Sequence, residues 1–174
     1  LGTYNVFEGA RRAKAKRVIH ASSNHAVGIN CLRPHTPTPE GWHDAATVLT
    51  FVIESRFDQS AEETPRLARL AYTLGYVCAQ NELSVLELLE LLTLGGIELL
   101  RTLIERCENP VVRRELEDLI FLAERSRREF ITVCESLKNR LVRALGGRPM
   151  LRHLAQSKGL DPYSVMESGE VVIF

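Results

Sequence analysis

The sequence predicts a mainly α protein: a helical bundle with a small N-terminal αβ unit and a short C-terminal strand. Three observations carry this. Apolar residues recur every three or four positions from Asp44 to Leu145, the spacing of helices that bury one side. Helix-start chemistry, Ser84-x-x-Glu87 and Asn109-Pro110, stands in front of two of those stripes. Short β-branched runs stand near the two ends, KRVIHA at 16–21 and VVIF at 171–174. The expected organisation is an αβ piece over 1–28, a Pro-rich linker over 29–43, the bundle over 44–146, and short helices with a terminal strand over 147–174.

Asn5 to Ala15 reads as a short helix, with Val6, Phe7 and Ala10 on one face and Arg11, Arg12 and Lys14 on the other. The KRVIHA strand then ends in small residues, which gives the helix–turn–strand order of a parallel-sheet unit. Residues 29–43 read as a loop, because Pro34, Pro37 and Pro39 interrupt a continuous helix. Cys31, His35 and His43 lie in that stretch, but their spacing fits no standard metal site, so they read as loop residues.

Asp44 to Phe57 carries Val48, Phe51, Val52 and Ser55 along one helical face, with Asp58 and Ser60 as turn chemistry. Thr64 to Gln80 carries Leu67, Leu70, Ala71, Leu74, Val77 and Cys78, with Pro65 in the first turn. Ser84 and Glu87 form a capping box that opens the central stretch, Leu83–Arg106. That stretch is the most apolar of the chain. Its residues Leu86, Leu88, Leu89, Leu91, Leu92, Leu94, Ile97, Leu99, Leu100, Leu103 and Ile104 run almost all round a helix, which predicts burial on most sides. Gly95-Gly96 in its middle reads as a kink or a close backbone approach.

Asn109-Pro110 opens a stripe through Leu116, Leu119, Ile120, Ala123, Phe130, Cys134, Leu137, Leu141 and Leu145. As one helix it would span about 50 Å at 1.5 Å per residue; a bend near Ser126 is the alternative. RSRRE at 125–129 reads as a solvated face.

The chain has 174 residues, 45% hydrophobic and 25% charged, with zero formal net charge. That is ordinary globular composition and excludes a disordered chain. Charge is unevenly spread: residues 1–43 hold six Lys/Arg and two Asp/Glu, and the remainder 16 and 20. The asymmetry suggests two pieces of different origin and is too small to argue for nucleic acid. Cys31, Cys78, Cys107 and Cys134 form no CxxC pair and read as reduced thiols, mostly on apolar faces, which suits a cytoplasmic location. No apolar run approaches the roughly 20 residues of a membrane span, and there is no signal-peptide pattern. The sequence opens on Leu1 rather than Met, which leaves both a fragment and a trimmed chain open.

GTYNVFEGARRAKAKRVIHASSNHAVG, residues 2–28, resembles the middle of an extended short-chain dehydrogenase/reductase, in particular the NAD-dependent epimerase/dehydratase and uronate-dehydrogenase branch. The matching features are the G-T-x-N-hydrophobic helix opening and the Ser-Ser-Asn-His-x-hydrophobic-Gly string. The resemblance implies that Ser23 is the catalytic Ser that hydrogen-bonds the substrate, and that Ser22, Asn24 and His25 line the cofactor and substrate cleft, with NAD as cofactor. Two parts of that family's machinery are missing from this sequence. No Gly-rich turn is present to seat the pyrophosphate. No Tyr-x-x-x-Lys is present: the residues four after Tyr4, Tyr72, Tyr76 and Tyr163 are Glu8, Tyr76, Gln80 and Glu167. The chain alone is therefore expected to be non-catalytic and to need no cofactor, with a helical part that contacts a protein partner or a second copy of itself through apolar helices. The alternative is an epimerase/oxidoreductase fragment acting on a sugar or uronate with NAD once another chain supplies the missing parts.

Leu67 to Arg106 also resembles the helical sensor domains of stressosome and histidine-kinase regulators, through a polar turn ending in Ser before a Leu-Leu-rich helix. Thr93 to Gly96 replace that family's charged residues, so this likeness implies partner binding and no site. A third alternative, a helix-turn-helix regulator, rests on Ala155, Gly159 and Val165. Lys158 is the only Lys/Arg after Arg152, and a DNA-reading helix needs more positive charge.

Overall fold

The computed structural model describes residues 8, 12, 18–20, 32–34, 36–56, 65–147 and 171–173. Among these the chain is mostly helical. The six α-helices are α1 (Pro39–Arg56), α2 (Pro65–Gln80), α3 (Val85–Leu91), α4 (Ile97–Arg106), α5 (Pro110–Arg125) and α6 (Arg127–Leu145), with a 3-10 turn at Leu94–Gly96 between α3 and α4. Val18–His20 (β1) and Val171–Ile173 (β2) pair in parallel, Val18 opposite Val171 and His20 opposite Ile173. Glu8 and Arg12 are helical and joined by an i,i+4 ion pair at 3.0 Å. The rest of the expected N-terminal helix, and the short helices expected over 150–165, lie outside the described residues.

The bundle begins earlier than the prolines suggested. Pro39 is the first residue of α1, the one helical position where a missing N–H costs nothing. The Thr38 hydroxyl accepts the Gly41 N–H at 3.3 Å and the Thr38 carbonyl accepts the Trp42 N–H at 2.9 Å. Pro39 to His43, expected to be linker, are therefore helix, and Trp42 is buried.

The centre of the packing is α2, not the Leu83–Arg106 stretch. Ten of its 16 residues are buried, including the unbroken run Thr73–Ala79. It contacts α1, α3, α5 and α6. Small residues allow this. A Cβ on Gly75 would lie 3.0 Å from a Leu49 methyl and 3.3 Å from the Ala46 Cα, so α1 and α2 cross at close range. That crossing selects the buried face of α1: Ala45, Ala46, Leu49 and Ile53 go inward. Val48, Phe51 and Val52, expected on the packed stripe, point outward.

The central stretch is not one helix. α3 opens on the Ser84–Glu87 capping box and ends at Leu91. Thr93 caps the 3-10 turn, its hydroxyl accepting the Gly96 N–H at 3.2 Å and donating to the Glu90 carbonyl at 2.8 Å. Burial is also one-sided: Leu88, Leu91, Leu92, Leu100 and Leu103 are in the core, while Leu86 and Leu94 are exposed.

The long C-terminal stripe is likewise two helices. Ser126 has extended backbone (φ −150°, ψ 95°). Its N–H donates to the Leu122 carbonyl at 2.8 Å, which closes α5. Its hydroxyl accepts the Glu129 N–H at 3.3 Å, which opens α6. Every member of the stripe from Leu116 to Leu145 is buried. Arg125, Arg127, Arg128 and Glu129 are exposed.

Candidate functional site

Ser22, Ser23, Asn24 and His25 lie outside the described residues, as do Cys31, His35 and the helix-turn-helix positions Ala155, Gly159 and Val165. Among the described residues, no group of three His, Cys, Asp or Glu side chains is placed to hold a metal ion. No helix is long and apolar enough to cross a membrane. Cys78, Cys107 and Cys134 are buried and in no disulfide.

An aromatic cluster with one side-chain hydrogen bond joins α1 to α2. His43 of α1 places Nδ1 2.8 Å from the Tyr72 hydroxyl of α2, with the rings edge to face at 5.6 Å. Tyr72 stands beside Tyr76 at 6.3 Å, and Tyr76 meets Trp42 edge-on at 6.0 Å. Burial pushes the Tyr72 hydroxyl above its ordinary range. Burial does the same to Tyr76, against a hydrogen bond to Asn109 that pulls the other way. Both phenols therefore stay protonated and serve as hydrogen-bonding members of an aromatic seam. A proton-abstracting phenolate needs the opposite shift.

The surface offers apolar side chains instead. On α1, Val48, Phe51 and Val52 occupy successive positions of one face, each more than half exposed, with Phe51 at 67%. Among the described residues, α1 packs substantially on α2 alone, and its opposite face is exposed. A second area lies along α4 and α5. Ile104 and Ile120 line a groove beside Phe121, which is 60% exposed, and Arg101, Glu105, Glu117 and Glu124 surround them. Arg101 bridges the two helices, paired with Glu98 at 3.4 Å on α4 and with Glu124 on α5. A separate hollow beside it, which shares Glu124, is lined by Leu94, Gly95, Ile97, Glu98, Ala123, Glu124 and Arg127. A third hollow, between α2, α5 and α6, is crossed by the Arg69–Glu115 ion pair at 3.3 Å.

The outward position of Phe51 was not evident from periodicity, which marks apolar faces without saying which residues the neighbouring helix will cover. Phe121 did have a local signal. It falls beside Ile120 but off the Leu116–Leu119–Ala123 stripe, so it cannot share that stripe's burial.

No protein-family model, curated protein or solved structure matches the chain.

Proposed function

We propose that this chain is a non-catalytic helical module for protein–protein contact. In this reading the N-terminal segment derives from an NAD-dependent epimerase/dehydratase without its activity, and the helical part has a regulatory or scaffolding role. The observation that supports it is the bare α1 face. Val48, Phe51 and Val52 form an apolar strip on an edge helix, at the i, i+3, i+4 spacing by which helices engage partners. Burying such side chains contributes about 1.5–3 kcal/mol each, a gain left unrealised while the face stands in water. Scattered exposed apolar residues are ordinary on any surface; three in adjacent positions on one face make a patch.

Sedimentation velocity over micromolar to millimolar concentrations tests the contact, with Phe51→Lys as the comparison. The expected result is concentration-dependent self-association that Phe51→Lys weakens. A chain that stays monomeric, with no difference from Phe51→Lys, counts against α1 as a self-contact face. Calorimetry with NAD tests the non-catalytic half. Saturable micromolar binding weakened by Ser23→Ala would restore the dehydrogenase reading.

A further inference from the structure

We infer that the α4–α5 groove receives a basic amphipathic helix from a partner protein, an inference that rests on reading the chain as an interaction module. The floor of the groove is apolar and most of the charged residues around it are acidic. Ile104, Ile120 and Phe121 supply the apolar surface. Glu105, Glu117 and Glu124 surround it, and Arg101 is the only basic side chain among them. Arg101 is already engaged by Glu124 and Glu98. Glu105 and Glu117 have no ion-pair partner among the described residues.

The dimensions suit a helix. From Glu117 to Glu124 the groove follows about 10 Å of helical rise along α5, which is close to two turns of a bound helix. An occupant with apolar residues at i, i+3 (or i+4) and i+7 would cover Ile104, Ile120 and Phe121, in the helix-in-groove mode. Lysines or arginines flanking its apolar stripe would meet Glu105 and Glu117. The acidic surround disfavours an acidic helix and the phosphates of nucleic acid by like-charge repulsion. The exposed aromatic beside the apolar floor, Phe121, is of a residue type enriched at protein interfaces.

Fluorescence anisotropy with the intact chain tests this. The probe is a labelled synthetic amphipathic helix of leucine and lysine, and the same peptide with glutamate for lysine is the reference. The leucine–lysine peptide is expected to bind and the leucine–glutamate peptide to fail. Glu117→Lys and, separately, Phe121→Ala should each weaken binding by about tenfold, the equivalent of 1.4 kcal/mol. Glu135→Lys makes the same charge change on α6, outside the groove, and should leave affinity within about twofold at moderate salt. Equal losses in Glu117→Lys and Glu135→Lys would overturn the inference, since attraction would then follow net charge. Unchanged binding in Phe121→Ala would also overturn it. Each substitution is at an exposed position, and circular dichroism checks that each variant is folded. Absence of peptide binding overturns the groove inference alone, because the α1 reading is tested separately by sedimentation of Phe51→Lys.

Discussion

A Cβ placed on Gly96 would lie 2.2 Å from the carbonyl oxygen of Glu90 and 2.9 Å from the Cα of Leu91. The chain at the end of α3 thus folds back until backbone meets backbone. Only glycine fits there. A Cβ on the adjacent Gly95 would lie 3.1 Å from the Glu90 carboxylate oxygen and 3.5 Å from the Thr93 hydroxyl, and those side-chain ends can move. Gly96→Ala is expected to cost about 2 kcal/mol, and Gly95→Ala about 0.5 kcal/mol or less. Urea unfolding of the two variants checks the difference; equal losses would mean that the close approach is not rigid.

Glu82 has a positive φ of 55°. It ends α2 in a Schellman arrangement, with the Leu83 N–H donating to the Cys78 carbonyl at 2.9 Å and the Glu82 N–H to the Ala79 carbonyl at 3.4 Å. Glycine is the residue this position favours, because a side chain in the left-handed region costs about 1 kcal/mol. Glu82→Gly is therefore expected to stabilise the chain by roughly that amount, read as a rise in melting temperature. A fall would show that the Glu82 side chain contributes more than its backbone strain costs.

The capping box makes the start of α3 sensitive to acid. The Ser84 hydroxyl donates to the Glu87 carboxylate, and the Ser84 N–H donates to it at 2.9 Å. The Ser84 side-chain bond is the largest cause holding the Glu87 carboxyl below its ordinary range, against partial burial. A depressed carboxylate pKa adds stability that is present above the unfolded value, about 4.3, and lost as pH falls through the folded value. Ser84→Ala should cost about 1 kcal/mol at neutral pH. That deficit should shrink as pH falls below about 4. Thermal melts of both proteins across that range decide it, and a deficit independent of pH would separate the cap from Glu87 ionisation.

Burial pushes the Cys134 thiol up to about 12, with Lys138 pulling weakly the other way. Burial also raises Cys107. The thiolate is the reactive form, so both should resist iodoacetamide at pH 8 in the folded chain and react once urea unfolds it. Site-resolved mass spectrometry measures this. Rapid native alkylation of Cys134 would mean that α6 opens readily.

Signals held within a few residues were legible in the sequence. The Ser84–Glu87 box, the Asn109 cap and the buried stripes of α2, α5 and α6 all follow from local spacing and local hydrogen bonds. Features set by a distant partner were not. The buried face of α1 is chosen by Gly75, 29 residues beyond Ala46 in the chain. The break after Leu91 depends on Gly96 reaching the Glu90 backbone, which the glycine pair signalled only as a kink or a close approach. Proline hid the start of α1, since the same residue ends one helix and begins another according to its position. Of the surfaces, the acids along α4 and α5 are ordinary solvated charges in sequence. They become a groove wall only when Glu105 and Glu117 are brought to the same apolar floor.

Trp42 is the only tryptophan of the chain, and it is buried edge-on against Tyr76 where α1 meets α2. Its fluorescence therefore reports on a single seam, while helical circular dichroism averages over the whole bundle. Because among the described residues α1 has one substantial neighbour and α2 has several, that seam is where opening should begin. An emission change that precedes the loss of ellipticity on heating would mark α1 as a separately detachable unit, released before the rest of the bundle gives way.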